Sequence, residues 1–163
     1  MPTFSQGVLA VASALSAAHG HVQHIGRQLQ ATGMLPTGAG GPIPAHLTHE
    51  QVAALVLGVL SGAELKRVAA IVRRFAVLEI DGVDFSHSKA EPPTLGRLLA
   101  NILAGAVPGV AITLDLDTVT ATVHGVGDMP LSFGTPVNTG RPIRRTASLS
   151  PRAVHQLSLS IQQ

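Results

Sequence analysis

Gln23, His24, Arg27 and Gln28 are the residues whose types and spacing best match a recognisable chemistry. The amide of Gln can pair with the edge of adenine, and the guanidinium of Arg with that of guanine. Imidazole can meet a phosphate oxygen. At 3.6 residues per turn these positions share one side of a helix, so they can enter a groove of a duplex together. Val22, Ile25, Gly26 and Leu29 fall on the opposite side as an apolar stripe. The plainer alternative is an amphipathic helix with a wetted polar face, and residue types alone leave both open.

A second basic set lies near the C-terminus. Residues 141–163 hold Arg141, Arg144, Arg145 and Arg152 and no acid, whereas residues 1–62 hold one cation, Arg27, and one anion, Glu50. Arg141, Arg144 and Arg145 are therefore expected to add phosphate contacts that the N-terminal part lacks. An edge strand kept soluble by arginine is the alternative. Lys66, Arg67, Arg73 and Arg74 form another basic group, opposite Leu65, Val68, Val72 and Phe75. They either flank a duplex or coat a solvated helix face.

Other chemistries find less support. His19, His21 and His24 cluster, with His46 and His49 beyond a Gly/Pro-rich loop. Histidine-only structural sites without cysteine or carboxylate are uncommon, and no His-Glu-x-x-His pattern occurs, so neither metal nor any other cofactor is expected. Five imidazoles gathered in this part of the chain leave a pH-sensitive surface open. Asp115 and Asp117 read as solvated residues beside a turn, and Asp81 and Asp84 lack a metal-loop pattern. Ser148 and Ser150 lack a Gly-x-Ser-x-Gly elbow. Gly38, Gly40 and Gly41 run into Pro42 without the Lys-Ser/Thr of a phosphate loop. No catalytic constellation emerges, and the expectation is a protein that is not an enzyme.

The elements that must position these residues follow from periodicity. Val8, Val11, Ala12 and Leu15 repeat at helical spacing until His19-Gly20 breaks the pattern. A second helix then runs to Gly33, a candidate C-cap, and Met34-Leu35-Pro36 leads out. Residues 37–45 form a Gly/Pro-rich excursion long enough for a wing, and Thr48 with Gln51 is a capping-box pair opening a third helix to Gly62. Further helices are expected around Leu65–Phe75 and after Thr94, the latter closed by Ala106–Gly109. The period then becomes 2: Ile112, Leu114 and Leu116 precede Val119, Ala121 and Val123 across a tight turn at Asp117-Thr118. Met129–Phe133 and Ile143–Leu149 read as two more strands, and Ser150-Pro151 as the start of a last helix.

His21–Pro36, read as a second helix followed by Gly33-Met34-Leu35-Pro36, resembles the MerR and excisionase type of winged helix-turn-helix. In that family a recognition helix passes into a Gly-Leu-Leu-Pro-like exit, a wing and a further helix. The chain departs from it in having no Arg-Tyr-Tyr segment in the second helix and no Arg in the loop. As a whole the chain is similar in texture to uncharacterised proteins of proteobacterial phages and prophages.

Composition bounds the rest. A hydrophobic share of 45% excludes global disorder, while an aromatic share of 2% leaves the core to Ala, Val, Leu and Ile. Burial against a partner or a second copy is expected to supplement such a core. There is no cysteine, so disulfides and thiolate chemistry are excluded. No apolar run reaches the roughly 18 residues of a membrane span. Val8–Ala18 has the small apolar residues of a signal peptide, but Met1–Gly7 carries no Lys or Arg, and a cytoplasmic location is expected.

The combined expectation is an α+β protein. Residues 1–62 would form a helical winged-helix-like DNA-binding unit, and residues 63–163 a small antiparallel sheet packed with helices for self-association. The function expected is that of a phage or prophage regulator binding double-stranded DNA as a homodimer through the second helix. The alternative is a protein-binding phage factor, an inhibitor of a host machine or a packaging component. The sparse charge of residues 1–62 favours that alternative.

Overall fold

The computed structural model describes residues 1–37, 45–81, 92–105, 110–126, 128–135 and 145–162. Among them the chain is α+β, with helices α1 (Phe4–Ala14), α2 (His19–Ala31), α3 (His49–Leu60), α4 (Leu65–Ala76), α5 (Leu95–Leu103) and α6 (Pro151–Ile161). Strands β1 (Ala111–Asp115), β2 (Thr120–His124), β3 (Leu131–Phe133) and β4 (Thr146–Leu149) make an antiparallel sheet in the order β3-β2-β1-β4. No helix among the described residues is long and apolar enough to cross a membrane.

Local chemistry explains where the helices start. Thr48 caps α3 through its hydroxyl and the Gln51 backbone N–H, while the Gln51 side chain accepts from the Thr48 N–H. Thr3 and Gln6 form the same reciprocal pair at α1. The two starts lie side by side, because Leu47 N–H donates to the Pro2 carbonyl at 2.8 Å. Thr94 caps α5, and Ser150 with Pro151 at the first turn opens α6.

The break between α1 and α2 falls earlier than His19-Gly20, which both belong to α2. Ser16 turns the chain with φ 50, and Ala17 N–H reaches back to the Ala12 carbonyl at 2.9 Å. That is a Schellman closure with serine in the left-handed position usually held by glycine. Gly33 does close α2 in this way, with φ 74 and Met34 N–H on the Leu29 carbonyl.

The sheet buries Ile112, Leu114, Ala121, Val123, Phe133 and Leu149 on one face. Thr113, Thr122, Ser132 and Ser148 cross the other face in register. The β1–β2 connection is Leu116–Val119 rather than a two-residue turn, and Val119 takes φ 54. Beyond β3 the segment at Glu79–Asp81 adds a further edge: Asp81 N–H donates to the Ser132 carbonyl and Gly134 N–H to that of Glu79. The predicted closure at Ala106–Gly109 and the first residues of the predicted fourth strand, 143–144, lie outside the described residues.

Helices from both sides of the expected boundary at residue 62 pack on one another. α3 meets α4 and α5, α2 meets α4, and α1 meets α6. Buried residues from Val8 to Ile161 form one hydrophobic cluster, so the two expected units share a core.

Candidate nucleic-acid interface

α2 is seated by its apolar stripe. Val22, Ile25, Gly26 and Leu29 are buried against α1, α3 and α4. Two glycines permit the close approach: a methyl group on Gly26 would stand 2.8 Å from the Phe4 ring of α1, and one on Gly58 of α3 would stand 2.8 Å from Ile25 Cγ2. Such contacts leave the helix little freedom to roll, so its outward side is fixed by packing.

That side carries the predicted residues. His24, Arg27 and Gln28 are exposed and Gln23 is half-buried beside them. The four span an arc of about 140° at 3.6 residues per turn. No ion pair engages Arg27 among the described residues. Ala18 at the N-cap offers no side-chain acceptor to the first turn of α2. At the other end Arg73 of α4 donates from Nη2 to the Thr32 carbonyl at 3.1 Å. A guanidinium therefore stands on the last turn of the helix, where its charge also complements the helix dipole.

Arg145, expected from the sequence to add a phosphate contact, is engaged within the fold by a carboxylate. Its backbone N–H, Nε and Nη2 all donate to the Asp117 carboxylate, at 2.8, 3.1 and 3.0 Å. Its side chain is 72% exposed, but that of Asp117 is only 5% exposed. Asp117 is thus not a solvated turn residue. It ties the β1–β2 connection to the start of β4, and Leu116 N–H donates to the Arg145 carbonyl in the same place. Asp115 Oδ1 accepts from the N–H groups of Asp117 and Thr118 and shapes the turn. Arg145 also lines, with Arg67 and Glu64, a small pocket of about 210 Å³ at the N-terminal end of α4. Arg141, Arg144 and most of the predicted wing (38–44) lie outside the described residues.

The structure brings Gln23, His24, Arg27 and Gln28 onto one face. Sequence leaves Arg73 open between flanking a duplex and coating a solvated face; the structure sets it against the last turn of α2. Its signal was present: Lys66/Arg73 and Arg67/Arg74 repeat two turns apart, opposite the apolar positions of α4. What sequence could not supply was the contact with Thr32, which joins α4 to α2.

Elsewhere, a cleft of about 590 Å³ between α3 and α5 is lined by Met34, Thr48, Glu50, Gln51, Thr94 and Arg97 among others. The Thr48 and Thr94 hydroxyls accept from the first turns of their own helices there. His46 Nδ1 lies 2.9 Å from the Met1 carbonyl oxygen, and no group of three or more potential metal ligands gathers among the described residues.

No family model, curated protein or solved structure matches this chain.

Proposed function

We propose that the protein is a small, non-enzymatic DNA-binding regulator that engages duplex DNA as a dimer through α2. One observation carries this reading: the outward face of Gln23, His24, Arg27 and Gln28 belongs to a helix locked by close packing, with the Arg73 guanidinium on its C-terminal turn. Pre-set orientation matters because bidentate contacts to base edges tolerate little angular error. In this reading Gln23, Arg27 and Gln28 meet base edges and His24 meets a phosphate. Two copies related by a two-fold axis would address half-sites about one helical turn, roughly 34 Å, apart. Selection from a randomised duplex pool tests it. Enrichment of a two-fold sequence with that spacing supports the reading, and failure to enrich any sequence removes it.

A second reading, a protein-binding factor, is favoured by the surface shared by α1 and α6. Leu9 is 61% and Leu159 52% exposed. A groove of about 310 Å³ there is lined by Pro2, Gln6, Leu9, Ala10, Ser13 and Ser160, none of them charged. Such a surface suits protein contact better than phosphate. Leu9→Glu distinguishes the two readings: it leaves the DNA affinity of each protomer intact if α2 is the functional face, and abolishes partner capture if this surface is.

A further inference from the structure

We propose that the outward face of α4 is a sequence-independent contact surface for the phosphodiester backbone of duplex DNA. Affinity and base choice would then reside on different helices. The proposal rests on the duplex-binding reading above and adds a second element to it.

Val68, Ala69, Val72 and Phe75 are buried and fix how α4 is turned. Lys66, Arg67, Ala70, Arg73, Arg74 and Val77 are exposed. These six positions span an arc of about 120° at 3.6 residues per turn. Four of them are cations, and no acid occurs from Leu65 to Ala76. Among the described residues Lys66, Arg67 and Arg74 take part in no ion pair. The pairs Lys66/Arg73 and Arg67/Arg74 each stand about 10.5 Å apart along the helix axis. That is the axial length of about three phosphates on one strand. A surface of this kind gains affinity by releasing counterions condensed on the duplex and carries no sequence information.

Its place in the fold gives it a ligand in common with α2. Arg73 touches the Thr32 carbonyl, so the basic arc begins where the polar face of α2 ends. At the other end of α4, Arg67 shares its pocket with Glu64 and with Arg145, which Asp117 holds. Charge is closer to balance there, and Lys66, Arg73 and Arg74 supply most of the uncompensated field. The arc also fills a gap in the N-terminal part, where Arg27 is the one cation of residues 1–62.

The competing explanation is that Arg73 and Arg74 serve only to stabilise the C-terminal turn of α4 through its dipole. Salt dependence separates the two. Binding of the full-length protein to a random-sequence duplex and to its selected duplex is followed by fluorescence anisotropy across salt concentration. Lys66→Gln and Arg74→Gln should each lower the log–log slope by about 0.9, on both duplexes alike. Arg152→Gln, on α6, should leave the slope unchanged, which controls for a mere loss of net charge. Urea unfolding of the same variants checks that they remain folded.

A Lys66→Gln/Arg74→Gln protein that is folded yet keeps the wild-type slope overturns the proposal and leaves the α2 reading standing. A reduced slope in that protein, with Arg27→Ala unable to alter sequence preference, supports α4 as the backbone contact and removes α2 as the reader. Wild-type protein that binds neither duplex at low salt overturns both.

Discussion

Replacing Gly58 by Ala places a methyl group 2.8 Å from Ile25 Cγ2, with Val68 Cγ2 at 3.4 Å and Val72 Cγ2 at 3.6 Å. The glycine is therefore where α3 receives both α2 and α4. Ile25 is 1% exposed and β-branched, so Cγ2 cannot swing aside and the helices must separate by several tenths of an ångström instead. Overpacking of this kind costs about 1–3 kcal/mol. Alanine's better helix propensity offsets about 1 kcal/mol of it, so the net loss should be about 0–2 kcal/mol. Ile25→Leu moves the branch away from Cβ and removes the clashing methyl at a cost below about 1.5 kcal/mol. In that background Gly58→Ala should be neutral or stabilising by up to about 1 kcal/mol. Urea unfolding of the four proteins gives the coupling, expected to equal the relieved overpacking at about 1–3 kcal/mol. Equal stabilisation by Gly58→Ala in both backgrounds would show that α2 does not sit this close to α3, and the fixed orientation of its polar face would lose its physical basis.

Three further outcomes are expected. Ser16→Gly relieves a left-handed serine worth about 1 kcal/mol and should raise Tm by about 2–4 °C; a fall in Tm would refute the Schellman closure of α1. Asp117→Ala removes an enclosed acceptor of three hydrogen bonds and should cost about 1–3 kcal/mol in urea unfolding. Arg145→Ala should cost less, since the backbone N–H keeps its bond to the carboxylate and the lost guanidinium is largely exposed; equal losses would sink that division. Arg27→Ala should weaken binding to a selected duplex by about 1–3 kcal/mol while changing random-sequence affinity far less, and equal affinity for the selected duplex would exclude α2 as the reader.

Much of the fold was legible because it is local. The Thr48…Gln51 box, Thr94, Gly33 and Ser150-Pro151 each act within one helical turn, and all four stand where the sequence places them. Alternation likewise exposed β1 and β2, since one face of each strand is buried. Thr3…Gln6 carries the same signal as Thr48…Gln51, but the apolar repeat that follows it begins only at Val8, which hides the start of α1.

Where sequence and structure differ, most of the causes lie in contacts distant along the chain. Gly20 suggests the α1–α2 break on propensity, yet Ser16 takes the left-handed turn, closed locally by the Ala17 N–H on the Ala12 carbonyl, and the glycine stays inside α2. Asp117 looked like turn polarity because its partner, Arg145, lies far along the chain. The pairing of Ile80 with Phe133 was invisible for the same reason. For the candidate site, helical periodicity was enough to gather Gln23, His24, Arg27 and Gln28. Joining Arg73 to them required the packing of α4 on α2, which no local pattern encodes.

The most direct test is fluorescence anisotropy of the wild-type protein against a labelled duplex drawn from its own genetic neighbourhood, titrated across salt. If α2 and α4 present a duplex-binding face, affinity should fall with a log–log slope of several units. Absence of binding even at low salt would contradict duplex recognition and turn the search toward the groove of α1 and α6, whose lining is uncharged.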